Sequence, residues 1–143
     1  MRNAIIALLG DLRCTAICDV ASEFGCAVAS VDSFEELEKI YNTSKLVAVF
    51  FEPHAFQFSW EVALKSVLDA APTALPIVCA RFSDRIDWPA LAEAGAFHTI
   101  PFPFDKAEFR QSLGFVWAAQ YRASKTVEMS KRSHAARAGD LVA

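Results

Sequence analysis

From Ile5 to Trp117 the chain alternates between two hydrophobic periods, and few folds satisfy that alternation. Residues 5–9 form an unbroken apolar run closed by Gly10, as a strand buried on both faces requires. Residues 12–24 then place Ile17, Val20, Ala21 and Phe24 at helical spacing, and Gly25 ends them. Cys26–Val31 reads as a second strand. Ser33 with Glu36 three residues on has the capping-box pattern, opening a helix that buries Phe34, Leu37 and Ile40. The most apolar strand, residues 46–51, stops at Glu52-Pro53 because proline cannot continue a central strand. Trp60–Ala70 is predicted helical through Val62, Ala63, Val67 and Leu68. Pro72 and Pro76 are expected to bracket the turn into a fourth strand at 77–80. A short helix at 88–94 ends before Gly95, a fifth strand covers 96–100, and Pro101-Phe102-Pro103 is read as a loop. The last helix starts near Phe104-Asp105 and runs through Phe109, Leu113, Val116 and Trp117.

Five strands alternating with five helices imply an α/β fold, a parallel sheet with helices on both faces. Right-handed crossovers favour the flavodoxin-like strand order 2-1-3-4-5 in a three-layer α/β/α arrangement. Functional groups are then expected at the carboxyl ends of the strands, which carry Gly10-Asp11, Glu52, Cys79-Ala80 and the segment after Ile100.

Composition narrows the function classes. Of the 143 residues, 54% are hydrophobic and 22% charged, as in a folded domain, and twelve Phe and three Trp supply core volume. The net charge of −3 exerts no overall pull on nucleic acid or an acidic membrane, and neither partner is expected. The apolar runs are strand-sized, too short for a membrane span or a secretory leader, so a cytoplasmic location is expected. Cys14, Cys18, Cys26 and Cys79 read as buried thiols and not as a disulfide framework. Cys14 and Cys18 share a helical face, but His54, His98 and His134 stand apart and do not complete a metal site. No Gly-rich nucleotide motif surrounds Gly10, and no nucleophile motif surrounds Cys79.

Three segments occur in a telling order: Leu75-Pro76-Ile77-Val78-Cys79-Ala80, then Ala94-Gly95-Ala96-Phe97, then Pro103-Phe104-Asp105. Together they resemble the fourth strand, the "AGA" before the fifth strand and the "KPF(D/E)" entry to the last helix of response regulator receiver (CheY-like) domains. The resemblance covers about residues 3 to 122 and marks a divergent member; 123–143 would extend the last helix into a tail.

What the resemblance implies can be set out position by position. The family places an acidic pair after strand one, a phosphoacceptor Asp after strand three, a Ser/Thr after strand four and a Lys after strand five. Its carboxylates hold Mg²⁺ and receive a phosphoryl group, which the hydroxyl and ammonium then contact. Here the pair falls on Gly10 and Asp11, the acceptor on Glu52, the hydroxyl on Cys79 and the lysine on Phe102. A longer carboxylate misplaces the reacting oxygen, a thiol donates poorly, and a phenyl ring removes the cation. The resemblance therefore implies a degenerate site with no catalysis and no resident metal, Asp11 and Glu52 being the only residual ligands for Mg²⁺. Under the alternative, a working phosphoacceptor, Mg²⁺ would still bind. Glu52 could also be a plain strand end facing solvent. The aromatic residues Phe51, Phe56, Phe58, Trp60, Phe102 and Phe104 are expected to plug the pocket or to form a protein-binding patch.

The function expected is two-component signal transduction through protein–protein contact, with a histidine kinase or output protein as partner. No output domain is visible, so a stand-alone module is expected. Residues 122–143 carry five basic against two acidic residues, a net +3 that leaves 1–121 at −6. A homodimer through the last helix fits that polarity.

Overall fold

The computed structural model describes residues 4–10, 12, 15–53, 59–81, 88–102 and 104–122. Strands β1 (Ala4–Leu9), β2 (Cys26–Val31), β3 (Lys45–Phe51), β4 (Leu75–Arg81) and β5 (His98–Phe102) form one sheet in the order β2-β1-β3-β4-β5. Every neighbouring pair is parallel. Between and after the strands come α1 (Thr15–Glu23), α2 (Phe34–Thr43), α3 (Trp60–Ala70), α4 (Trp88–Glu93) and α5 (106–122). The strand order and class follow the alternation read in the sequence.

Two apolar layers sandwich the sheet. On one side Leu8, Phe50, Ile77, Cys79 and Ile100 pack with Ile17, Val20 and Ala21 of α1 and Phe109, Leu113 and Val116 of α5. On the other, Leu9, Val49, Phe51 and Val78 pack with Leu37 of α2, Ala63, Leu64 and Val67 of α3 and Leu91 of α4. A bulge moves the partner of Ile6 to Ala48 after Ile5 pairs with Leu46, and the alternation resumes beyond it. Among the described residues no helix is long and apolar enough to cross a membrane.

Local chemistry explains the element ends. The Ser33 hydroxyl accepts from Glu36 N–H at 3.2 Å, while Glu36 Oε2 accepts from Asp32 N–H at 3.1 Å, one residue earlier than the ordinary capping box. Ser59 caps α3 by accepting from Val62 N–H, and Asp105 Oδ1 caps α5 by accepting from Glu108 N–H at 2.8 Å. Gly95, at φ +110, closes the α4 turn; a Cβ there would sit 3.0 Å from Leu68 Cδ1.

Several sequence expectations are corrected. Pro76 lies inside β4 and not in the turn before it. Its carbonyl accepts from Phe97 N–H at 2.8 Å, so its missing donor faces β5 just before that ladder begins at Ile77–His98. β5 runs two residues beyond Ile100 because an edge strand tolerates Pro101, which makes Phe102 a strand residue opposite Arg81. It begins at His98, two residues later than expected, and α1 begins at Thr15 instead of Leu12. Val62 and Trp117, expected on helix faces toward the core, are exposed, each one step of helical rotation away from the buried positions beside it.

Candidate functional site

The site is assembled by register. Leu9 pairs with Phe51 and Phe51 with Val78, so the next residues, Gly10, Glu52 and Cys79, come abreast at the strand tips. Cys79 pairs in turn with Ile100, and Gly10 N–H reaches Val31 C=O at 3.4 Å. Alternation along β3 puts Glu52 on the same side of the sheet as Phe50, the side closed by α1 and α5. Gly10 takes φ +98, which a residue with a side chain would adopt only under strain.

Glu52 does not face solvent: it is 4% exposed. Among the described residues no buried side-chain nitrogen or oxygen lacks a hydrogen-bond partner, so its carboxylate is satisfied where it lies. Cys79 is fully buried beside it. Burial first, and the negative charge of Glu52 second, push the Cys79 thiol well above its ordinary range, while a hydrogen bond with the Phe51 backbone works against them. The group at this tip is thus a neutral thiol, a weak donor and a poor nucleophile.

At the end of β5, Phe102 is partly buried against the same apolar layer. Its ring meets Phe104 edge-on at 5.8 Å, Phe104 stacks on Phe109 at 5.3 Å and 11°, and Phe109 meets Phe50 at 5.0 Å. Four rings therefore run as a column from the β5 tip, along the start of α5, to the strand beneath Glu52. Sequence reasoning placed Phe102 and Phe104 near the pocket but missed Phe109, whose helical phase marked it as core and concealed its second role as the centre of the column. The column supplies no charge and no strong donor.

Of the positions singled out in the sequence, Gly10, Glu52 and Cys79 come together and Phe102 lies one alternation further along the same face. Asp11, His54, Phe56 and Phe58 lie outside the described residues, as do Cys14, His134 and the tail 123–143. Trp60 begins α3 and packs against the opposite apolar layer, so it does not belong to the plug. Among the described residues no cluster of three His, Cys, Asp or Glu could hold a metal ion. The residues described do not by themselves make a Mg²⁺ site, since beside Gly10 and Cys79 on the central strands Glu52 alone offers a carboxylate and no cluster of three ligands forms. Away from the tips, a cavity of about 210 Å³ lies between α4 and β5, lined by Leu91, Ala92, Ala96, Phe97, His98 and Thr99. Burial lowers the His98 pKa, and its ring meets Phe115 edge-on at 5.1 Å.

No protein-family model matches the chain, and no curated protein matches it in sequence. Solved structures do match in shape. A response regulator receiver domain protein from Clostridium thermocellum superposes with a TM-score of 0.66 at 14% identity, over 84% of this chain and 98% of that one. The signal receiver domain of a putative Luxo repressor protein from Vibrio parahaemolyticus gives 0.66 at 13% identity, over 86% and 96%. NtrX from Brucella abortus gives 0.73 at 14% identity over 93% of this chain, which spans only 30% of that larger protein. With five parallel strands in the same order and helices on both faces, the chain has the fold of response regulator receiver domains, in strongly diverged sequence.

Proposed function

We propose that the chain is a receiver-like module of two-component signalling that acts by binding other proteins, without accepting a phosphoryl group and without catalysis of its own. The observation that carries this reading is the row of strand tips in which Glu52 lies beside a fully buried, neutral Cys79 and the ring of Phe102 is anchored to Phe104. A phosphoryl group on Glu52 would replace its single negative charge with nearly two at a buried position. Neither a hydroxyl at 79 nor an ammonium at 102 is present to receive them. Phosphoryl transfer depends on charge neutralisation and in-line placement, and these residues supply neither. The receiver fold supports a signalling role; a histidine kinase or an output protein is the class of partner proposed, and no resident cofactor is proposed.

The experiment is incubation of the full chain with acetyl phosphate and Mg²⁺, followed by intact mass measurement. No gain of a phosphoryl group is expected. A stoichiometric gain that is lost in Glu52→Gln would overturn the reading and establish a working phosphoacceptor.

A further inference from the structure

Strand β2 forms one edge of the sheet, with β1 as its neighbour on the inner side. Gly10 N–H donates to Val31 C=O, which sets the backbone groups of Val31, and by alternation those of Ala29 and Ala27, toward β1. The N–H and C=O groups of Val28 and Ser30 therefore point away from the sheet. Asp32, next in that outward series, agrees with this phase: its N–H turns to Glu36 Oε2 at 3.1 Å and ends the open row. Among the described residues nothing pairs with the outward groups of Val28 and Ser30.

Edge strands are ordinarily guarded by charge, proline or a bulge. The opposite edge strand, β5, contains Pro101, whereas the six residues of β2 include no charge and no proline, and their pairing with β1 has no bulge. The neighbouring helices widen this uncharged strip. Asp19 and Glu23 of α1 turn to Lys106 and Arg110 of α5, at 3.2 and 2.8 Å. At roughly 100° per residue, the other flank of α1, which overhangs β2, then carries Cys18 and Ala21. On the far face of the sheet, Tyr41 of α2 reaches Thr73, just beyond α3, at 2.9 Å. That orientation leaves Ile40 and Thr43 on the flank of α2 nearest β2.

We propose that β2 pairs antiparallel with β2 of a second copy about a two-fold axis at Ala29, joining the two sheets into one. Ser30 N–H then donates to the C=O of Val28 of the partner subunit, and Val28 N–H to the C=O of Ser30 of the partner subunit. Symmetry repeats both bonds, so each open donor of this row meets an open acceptor, the self-complementarity that a two-fold contact demands. Ala29 faces its own copy at the non-hydrogen-bonded position, where Cα atoms stand about 4.5 Å apart and a small side chain fits. The acidic end of the strand, with Asp32 and Glu36, lies beside the Gly25 end of the other copy, so like charges are not set opposite each other. At about 3.3 Å per residue β2 is about 20 Å long, and three layers of about 10 Å give a lateral face of about 600 Å². Side-chain relief brings that face near the roughly 800 Å² per partner of a stable interface. The inference does not depend on the state of the strand-tip site.

Sedimentation velocity of the full chain over a concentration series tests it. A dimer is expected that responds little to salt, because the paired strands carry no charge. Ala29→Lys and Ala29→Glu each set like charges face to face at the axis and should raise the dissociation constant about tenfold or more. An equimolar mixture of the two variants should dimerise again. Ser30→Pro removes an outward N–H without touching the β1 ladder and should also weaken the dimer, with unchanged circular dichroism. Amide exchange at Val28 and Ser30 should be slow in the dimer and fast on dilution. Should the variants at position 29 fail to fold, Ser30→Pro and the exchange rates decide. Wild-type chain that stays monomeric at every concentration, a dimer indifferent to the substitutions, or a Lys/Glu mixture that stays monomeric overturns the proposal. So does slow exchange of both amides in a monomer, which would assign the edge to another segment of the same chain.

Discussion

Phe109 is the side chain whose removal should be felt most widely. It is fully buried, stacked on Phe104 at 5.3 Å and tilted against Phe50 at 5.0 Å, and it seats α5 on the sheet. Truncating a buried Phe to Ala costs about 3–5 kcal/mol through lost transfer energy and the cavity left behind. Two aromatic pairs, each worth about 0.5–1.5 kcal/mol beyond area burial, place Phe109→Ala in the upper part of that range. Against a domain stability of about 5–15 kcal/mol, such a loss removes a large share. Phe102→Ala offers the contrast, since that ring is only partly buried and meets Phe104 edge-on at the end of the column, so about 1–1.5 kcal/mol is expected. Urea unfolding followed by far-UV circular dichroism measures both, with comparable slopes showing that the same transition is compared. Equal losses in the two variants, or a Phe109→Ala loss below about 2 kcal/mol, would refute the idea that the column is anchored at its centre.

The remaining predictions concern glycine, thiol and charge. Gly114→Ala should stabilise the chain by about 0.5–1 kcal/mol, because the helix gains and the space is open. Gly95→Ala should destabilise it by more than about 1 kcal/mol, because φ is +110 and Leu68 is in the way; thermal melts of the two should move in opposite directions. In a Cys14→Ser background, a thiol reagent at mildly alkaline pH should label exposed Cys18 quickly and Cys79 only after unfolding, and rapid native labelling of Cys79 would contradict its burial. The hydrogen bond from Arg110 holds the Glu23 carboxyl below its ordinary 4.5, so its contribution to stability is complete above that value and is lost as pH falls through the lowered one. Arg110→Met should flatten this part of the acid limb in pH-dependent melts, an effect small for so exposed a pair.

The sequence carried the sheet order because each buried strand is a continuous apolar run and each helix a separate period, and nothing in the tertiary structure overrides that contrast. It carried Gly10, Glu52 and Cys79 as neighbours because Gly10 and Glu52 directly follow their strands and Cys79 lies near the end of its own, so that topology brings them abreast. It failed where a rule about proline depends on which side of a strand is paired. Pro76 and Pro101 both sit inside strands, one with its missing donor just ahead of the β5 ladder and the other on an edge strand. Strand sidedness is a property of the assembled sheet, invisible in a local pattern. Trp117 is misread for a related reason, since an aromatic residue beside an apolar position looks like core until helical phase is fixed by a neighbour, whereas Trp60, expected in the plug, packs on the opposite layer.

The burial of Glu52 also bears on what kind of signal such a domain can carry. In a phosphoacceptor, the stimulus is a change of charge at the strand tips, and the response is the movement of groups that can follow that charge. Here the groups on that face are a satisfied carboxylate, a thiol whose proton is held by burial, and a ring fixed at one end of a four-ring column. The thiol does not ionise near neutral pH while it is buried beside the Glu52 charge, and the ring has no ionisable group. On the reading proposed above, a change in the state of such a module is imposed from a surface through packing. On the proposed reading the control therefore enters through helix faces, and α5 is the element through which it would reach the tips, because Phe104, just before it, and Phe109 within it join its seat on the sheet to the ring at position 102.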